Sequence, residues 1–164
     1  MTTTTATRSR LRTIAPWIST SARLVLAAVF LAAGTLKVID PSGSVAAVRA
    51  YELAPAGWET LIGWGLPFVE IGLGLLLALG FHTRAVAIIS AALLTLLIAA
   101  VISVAARGLS IDCGCFGGGG QVPPGETRYA SEIIRDLGLL LLAGWLIWRP
   151  QSRLCLDRWN GESR

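Results

Sequence analysis

The chain is poor in the residues on which soluble enzymes rely. Its 164 residues include one His, one Lys, one Met and three Cys, and only 15% are charged. The lone His82 sits in the turn Gly80-Phe81-His82-Thr83-Arg84, and no spacing supports Ser/His/Asp hydrolysis. Three cysteines cannot form a disulfide scaffold. They also fall short of the four ligands of a zinc site or an iron–sulfur cluster, so no metal is expected. The glycines Gly117 to Gly120 are followed by no Lys-Ser/Thr pair, which excludes a phosphate loop. Internal repeats and paired broken helices, the marks of many transporters, are lacking. The scarcity of charge, with a mean hydropathy of +0.65, excludes a soluble domain.

What is present is apolar sequence in blocks. Four stretches stand out: Trp17 to Ile39, Thr60 to Gly80, Arg84 to Ala106 and Tyr129 to Trp148. Each is about 20 residues, enough to cross about 30 Å of hydrocarbon at about 1.5 Å per residue. The expected fold is all-α, an integral membrane four-helix bundle over residues 17–148. Residues 1–16 read as a disordered N-terminal tail with Arg8, Arg10 and Arg12. Residues 149–164 read as a basic C-terminal tail. The first stretch also has the outline of a signal peptide ending near Ala32-Ala33-Gly34. It continues past Gly34, however, and a retained helix is the simpler reading. Trp17, Trp58, Trp145 and Trp148 fall near helix ends, where amphipathic rings settle in a bilayer.

Net charge is +4. In such a chain the basic surplus reports topology and anionic lipid rather than nucleic acid. Four spans put both termini on one side, with Arg8, Arg10, Arg12, Arg84, Arg149, Arg153, Arg158 and Arg164. The other side has Arg49, Arg107 and Arg128, with Lys37 and Arg135 near helix ends. This asymmetry predicts cytoplasmic termini in a plasma (inner) membrane protein. The loops after the first and third spans are then extracytoplasmic.

The third of those spans is followed by Asp112-Cys113-Gly114-Cys115-Phe116-Gly117. Two thiols one residue apart can bridge to each other in a small, strained ring. A strained disulfide is more oxidising than a relaxed one, which suits redox exchange. On the outer side such a disulfide can persist. As a purely structural link it would stabilise little, because stabilisation grows with the loop closed. Cys155 falls on the reducing side and reads as a bystander. The loop from Cys113 to Glu126, rich in Gly with Pro123-Pro124, is expected to form neither helix nor strand. Phe116 is either a contact for a partner or an anchor of the loop in the membrane.

Five charges lie within the spans: Arg23, Lys37, Glu70, Arg135 and Asp136. Ionisable groups there are costly, and are usually paired or functional. Snorkelling accounts for Arg23 and Lys37 in one reading. In the other, Lys37 and Arg135 raise the potential beside the thiols and favour the thiolate. Glu70, near mid-span, needs a partner or a proton, and Arg23 is its nearest candidate in depth. Pro67, one turn earlier, opens the helix by freeing a carbonyl. Gly72, Gly74 and Ala78 allow close helix packing.

Several of these segments together resemble a known family. They are Ala22-Arg23-Leu24 through Ala33-Gly34-Thr35-Leu36-Lys37, then Asp40-Pro41, Tyr51-Glu52-Leu53-Ala54-Pro55 and Leu66-Pro67-Phe68-Val69-Glu70-Ile71-Gly72-Leu73-Gly74. With Asp112 to Gly117 and Arg135-Asp136, they resemble the MauE branch of DoxX-like membrane proteins over residues 20–148. The resemblance implies a four-helix membrane bundle with a redox association. It links such proteins to maturation of methylamine dehydrogenase, whose periplasmic subunit is rich in disulfides. Many relatives are linked instead to thioredoxin-like partners. The Gly-rich loop after Cys115 and the Arg-rich C-terminal tail lie outside the shared pattern.

The expected function is thiol–disulfide exchange by Cys113 and Cys115 with an extracytoplasmic thioredoxin-like or disulfide-containing protein. No inner cysteine pair exists to carry electrons across by thiols. Either a quinone in the bundle or another protein would accept them. The rivals are a non-enzymatic scaffold subunit of a redox complex and a small transporter built on Glu70 and Arg23.

Overall fold

A computed structural model describes residues 3–55, 57–123 and 125–150, with side chains from residue 15 onward. The described residues form five helices and one short strand pair. They are α1 (Thr3–Ile39), α2 (Pro41–Ala50), α3 (Trp58–Leu79), α4 (Thr83–Ala106), β1 (Ile111–Asp112), β2 (Gly120–Gln121) and α5 (Tyr129–Trp148). Among the described residues, three helices are long and apolar enough to cross a membrane: α1 from Ala15, α3 and α4. α5 matches them in length, but Glu132, Arg135 and Asp136 crowd its first two turns.

The long helices share one core. Leu26 and Phe30 of α1 meet Leu73 and Leu77 of α3, Ala87 and Leu94 of α4, and Leu139 and Ala143 of α5. Their outward faces carry Phe68, Leu75, Ile89, Leu96 and Leu141, all exposed. That pattern suits a protein whose solvent is lipid, where an apolar outer face costs nothing.

Small residues set the closest approach, between α1 and α3. A Cβ on Gly34 would lie 2.7 Å from the Pro67 carbonyl oxygen, and one on Gly74 would lie 2.7 Å from Leu31 Cγ. Gly72, expected to share this role, faces open space instead. Pro67 has no N–H to offer the Gly63 carbonyl one turn earlier. The Ser44 hydroxyl of α2 donates to that carbonyl at 2.8 Å. The helix defect in α3 is thus the docking point of α2.

α2 is absent from the sequence reading, because ten residues of mixed polarity give no span. Its start was nevertheless encoded. Asp40 caps it by accepting from the Gly43 N–H at 2.9 Å, and Pro41 occupies the first turn. The Gly43 N–H, then the Ser42 hydroxyl, hold the Asp40 carboxyl below the usual carboxylate range. A Cβ on Gly43 would collide with the cap, 2.2 Å from Asp40 Oδ2.

α1 is described from Thr3 and so takes in most of the segment 1–16; extending an existing helix costs far less than nucleating one. One expectation about the loop needs correction. The loop Cys113 to Glu126, expected to form neither helix nor strand, supplies Gly120 and Gln121, which pair antiparallel with Asp112 and Ile111 just before it. Positive φ at each of Gly117, Gly118, Gly119 and Gly120 turns the chain back on itself, which other residues resist. Cys155 and the tail from 151 onward lie outside the described residues.

Candidate functional site: a dithiol above a buried charge cluster

The β1–β2 loop carries both thiols over the ends of α1, α2 and α5. Tyr129 fastens its base, accepting from the Ile111 N–H at 2.9 Å and donating to the Leu109 carbonyl at 2.7 Å. Its tip rests on α2. Cβ atoms on Gly114 and Gly119 would stand 2.6 and 2.5 Å from Ala47 Cβ. Both glycines also have positive φ, at 66° and 110°. Two glycines therefore let the loop lie flat on Ala47. The Gly114 N–H donates to Asp112 Oδ1 at 3.2 Å.

Within this turn the free thiols of Cys113 and Cys115 are neighbours, with Sγ atoms 2.7 Å apart and Cys113 donating. A disulfide bond is about 2.05 Å long, so closing the bond needs less than about 1 Å of approach. The two thiols are not equivalent. Cys113 is buried and Cys115 is partly exposed. The hydrogen bond from Cys113 pulls the Cys115 thiol below the ordinary value; Arg135 and Lys37 add to this, against burial and Asp136. The same hydrogen bond, followed by burial, drives the Cys113 thiol far up. Of the two, Cys115 is the more readily deprotonated.

Beneath Cys115 the charges converge. A cavity of about 30 Å³ is bordered by Phe30, Lys37, Glu70, Cys115, Arg135 and Asp136. Lys37 Nζ lies 2.5 Å from Glu70 Oε1, and both side chains are buried. The expected alternatives for these residues are resolved here. Lys37 does not snorkel, and the partner of Glu70 is Lys37, not Arg23. The long Lys stem reaches down from the end of α1 to mid-α3. Arg135 Nε donates to Asp136 Oδ1 at 2.8 Å, and its guanidinium lies 4.8 Å from the Phe116 ring centre. That cation–π contact ties the residue after Cys115 to α5, while Phe116 stays 39% exposed.

Arg23 is buried at 1% exposure, so it does not snorkel either. It stands 14 residues before Lys37, about 21 Å along α1, and is not part of this cluster. Glu132, unremarked in the sequence, does belong. Its carboxylate, the Asp112 carboxylate and Cys113 Sγ lie within 4.8 Å of one another. These are three donors, one short of a structural zinc shell. The signal for Glu132 was its place one turn before Arg135-Asp136, on the helix face that carries Asp136. An open groove of about 800 Å³ runs alongside, between Ser42, Arg49, Thr60, Trp64 and Gln121, and does not reach the thiols.

Long apolar helices capped by a loop that holds two adjacent thiols define a membrane protein with a dithiol site. The family described as methylamine utilisation protein MauE matches residues 15–149, and the chain belongs to it. Membership suggests a role in methylamine utilisation. No curated protein and no solved structure matches the chain.

Proposed function

We propose that the chain is a membrane thiol–disulfide exchange protein acting through Cys113 and Cys115. The observation that carries this is the asymmetric pair, with Sγ atoms 2.7 Å apart and Cys115 beside Arg135 and Lys37. In the direction that delivers a disulfide, the pair starts oxidised. A partner thiolate attacks Cys115 Sγ and expels Cys113, which takes up a proton. The partner's second thiolate then attacks its own sulfur in the mixed disulfide and expels Cys115. The partner loses two electrons to the pair. Cys115 is the attacked sulfur because it is the more exposed of the two, and as the lower-pKa thiol it is the faster leaving group in the second step. Phe116, exposed and held by Arg135, provides an apolar contact beside the reacting sulfur.

The partner we infer is an extracytoplasmic thioredoxin-like or disulfide-containing protein. Maturation of methylamine dehydrogenase is the setting we infer, supported by membership of the family described as methylamine utilisation protein MauE. α5 serves as a fourth span, both termini are cytoplasmic, and the thiol loop faces outward in the plasma membrane. The cavity beside Cys115 is about 30 Å³, whereas pockets that hold small molecules measure about 300–1,000 Å³. This favours re-oxidation by a second protein at the loop over a quinone within the bundle.

The test is the redox state of the pair in membranes, read by thiol-alkylation mass shift. Exchange predicts a pair that cycles on adding mild reductant and oxidant. It also predicts a mixed disulfide trapped through Cys115 in the Cys113→Ser variant. A pair locked in one state, trapping nothing, refutes exchange and leaves a scaffold role.

A further inference from the structure

We propose that Glu132 is the proton acceptor and donor for Cys113, the buried thiol of the pair. The inference rests on the exchange reading and adds a catalytic residue to it. Its ground is placement. The Glu132 carboxylate lies within 4.8 Å of Cys113 Sγ. Its Oε2 is shut off from solvent and makes no hydrogen bond among the described residues. Cys113 is 8% exposed, so bulk water has little access to its sulfur. Whenever the pair opens or closes, this sulfur gains or loses a proton, and a neighbouring carboxylate is the group positioned to exchange it.

Cys115 has other neighbours. It faces the cavity with Lys37, Glu70, Arg135 and Asp136, on the side of the loop toward α1 and α3. The two sulfurs are thus served by different surroundings: Cys115 by fixed positive charge, Cys113 by a carboxylate. The groups around Glu132 are Asp112 of β1, Cys113, Arg135 and Asp136 of its own helix, and Tyr51 after α2. Asp112 is exposed and its Oδ1 is engaged by the Gly114 N–H. The Tyr51 hydroxyl points to the Cys113 carbonyl oxygen at 3.5 Å. Glu132 is the remaining carboxylate beside the sulfur.

In the direction that oxidises the pair, the step balances as follows. Cys115 is bound to the oxidant in a mixed disulfide. Cys113 gives its proton to the Glu132 carboxylate, and its sulfur attacks Cys115 Sγ. The Cys113–Cys115 bond forms, the mixed disulfide breaks, and the oxidant's sulfur leaves as thiolate with the electron pair. The reverse reaction returns the proton from Glu132 to Cys113.

Stopped-flow reaction of the reduced full-length chain with 5,5′-dithiobis(2-nitrobenzoate) separates the two steps. The chain is used in detergent with Cys155→Ser. The first thionitrobenzoate released reports attack by Cys115, and the second reports closure by Cys113. Glu132→Gln is expected to leave the first phase unchanged and slow the second by about 10²-fold, the usual contribution of a general base. The deficit should shrink as pH rises and hydroxide replaces the carboxylate, and Glu132→Asp should restore part of the rate. A second phase in Glu132→Gln as fast as in the parent overturns the assignment. Equal slowing of both phases overturns it too, because it marks a structural role. A parent chain that releases only one equivalent refutes the exchange reading itself.

Discussion

The Lys37 ammonium and the Glu70 carboxylate form a buried ion pair, 2.5 Å apart, that joins the end of α1 to the middle of α3 directly beneath Cys115. Buried pairs contribute little net stability when intact, because both charges lose their hydration. Removing one partner strands the other and costs about 3–5 kcal/mol. We therefore expect Lys37→Met alone and Glu70→Gln alone to lower thermal stability sharply in detergent. The double variant Lys37→Met/Glu70→Leu should recover most of the loss. A double variant as unstable as the worse single would show that the pair is not the source.

The thiols should differ in their response to pH. A thiol is reactive as the thiolate, whose fraction falls as pH drops below the pKa. Cys115 lies below the ordinary value, so its alkylation should persist at lower pH than that of a free cysteine. Cys113 lies far above and should stay unreactive through neutral pH. Arg135→Gln should shift the Cys115 profile to higher pH. Cys113→Ala should shift it further than Cys113→Ser, because serine keeps a donor. Mass spectrometry of iodoacetamide adducts against pH reads all three.

The flat seat of the loop on α2 depends on Gly114 and Gly119. Alanine at either would meet Ala47 and adopt an unfavourable positive φ. Each substitution is expected to cost about 1–3 kcal/mol locally. Its effect should appear as slower disulfide closure, because the loop no longer holds the sulfurs together. Gly120→Ala is the control: it shares the positive φ but its Cβ meets nothing. Closure as fast in Gly114→Ala as in the parent would count against the seat.

Close packing of α1 on α3 gives a test away from the thiols. Gly34→Ala would drive a methyl group into the Pro67 carbonyl and Ile71, at an overpacking cost of about 1–3 kcal/mol. Gly72→Ala, facing open space, should be neutral. Melting temperatures of the two variants in the same detergent decide it.

Much of the fold was legible because hydrophobic length is a one-dimensional property. Three membrane-length helices fall where runs of about 20 apolar residues predict them, and α5 spans the predicted Tyr129–Trp148. What composition could not reveal was local and polar. α2 rests on a cap at Asp40 and on a carbonyl freed by a proline 23 residues beyond Ser44. The strand pair in the glycine loop depends on backbone angles that glycine permits but does not dictate.

The candidate site divides in the same way. The adjacent thiols, and the suspicion attached to Lys37, Glu70, Arg135 and Asp136, come from residue type and from the cost of charge in a membrane. Sequence alone determined that these residues exist and demand partners. Only the tertiary structure decided the partners. It paired Lys37 with Glu70 and brought Glu132 to Cys113. The physical reason is that pairing depends on how helices are rotated and how far long side chains reach. Those are set by close contacts such as Gly34 against Pro67, between residues far apart in the chain.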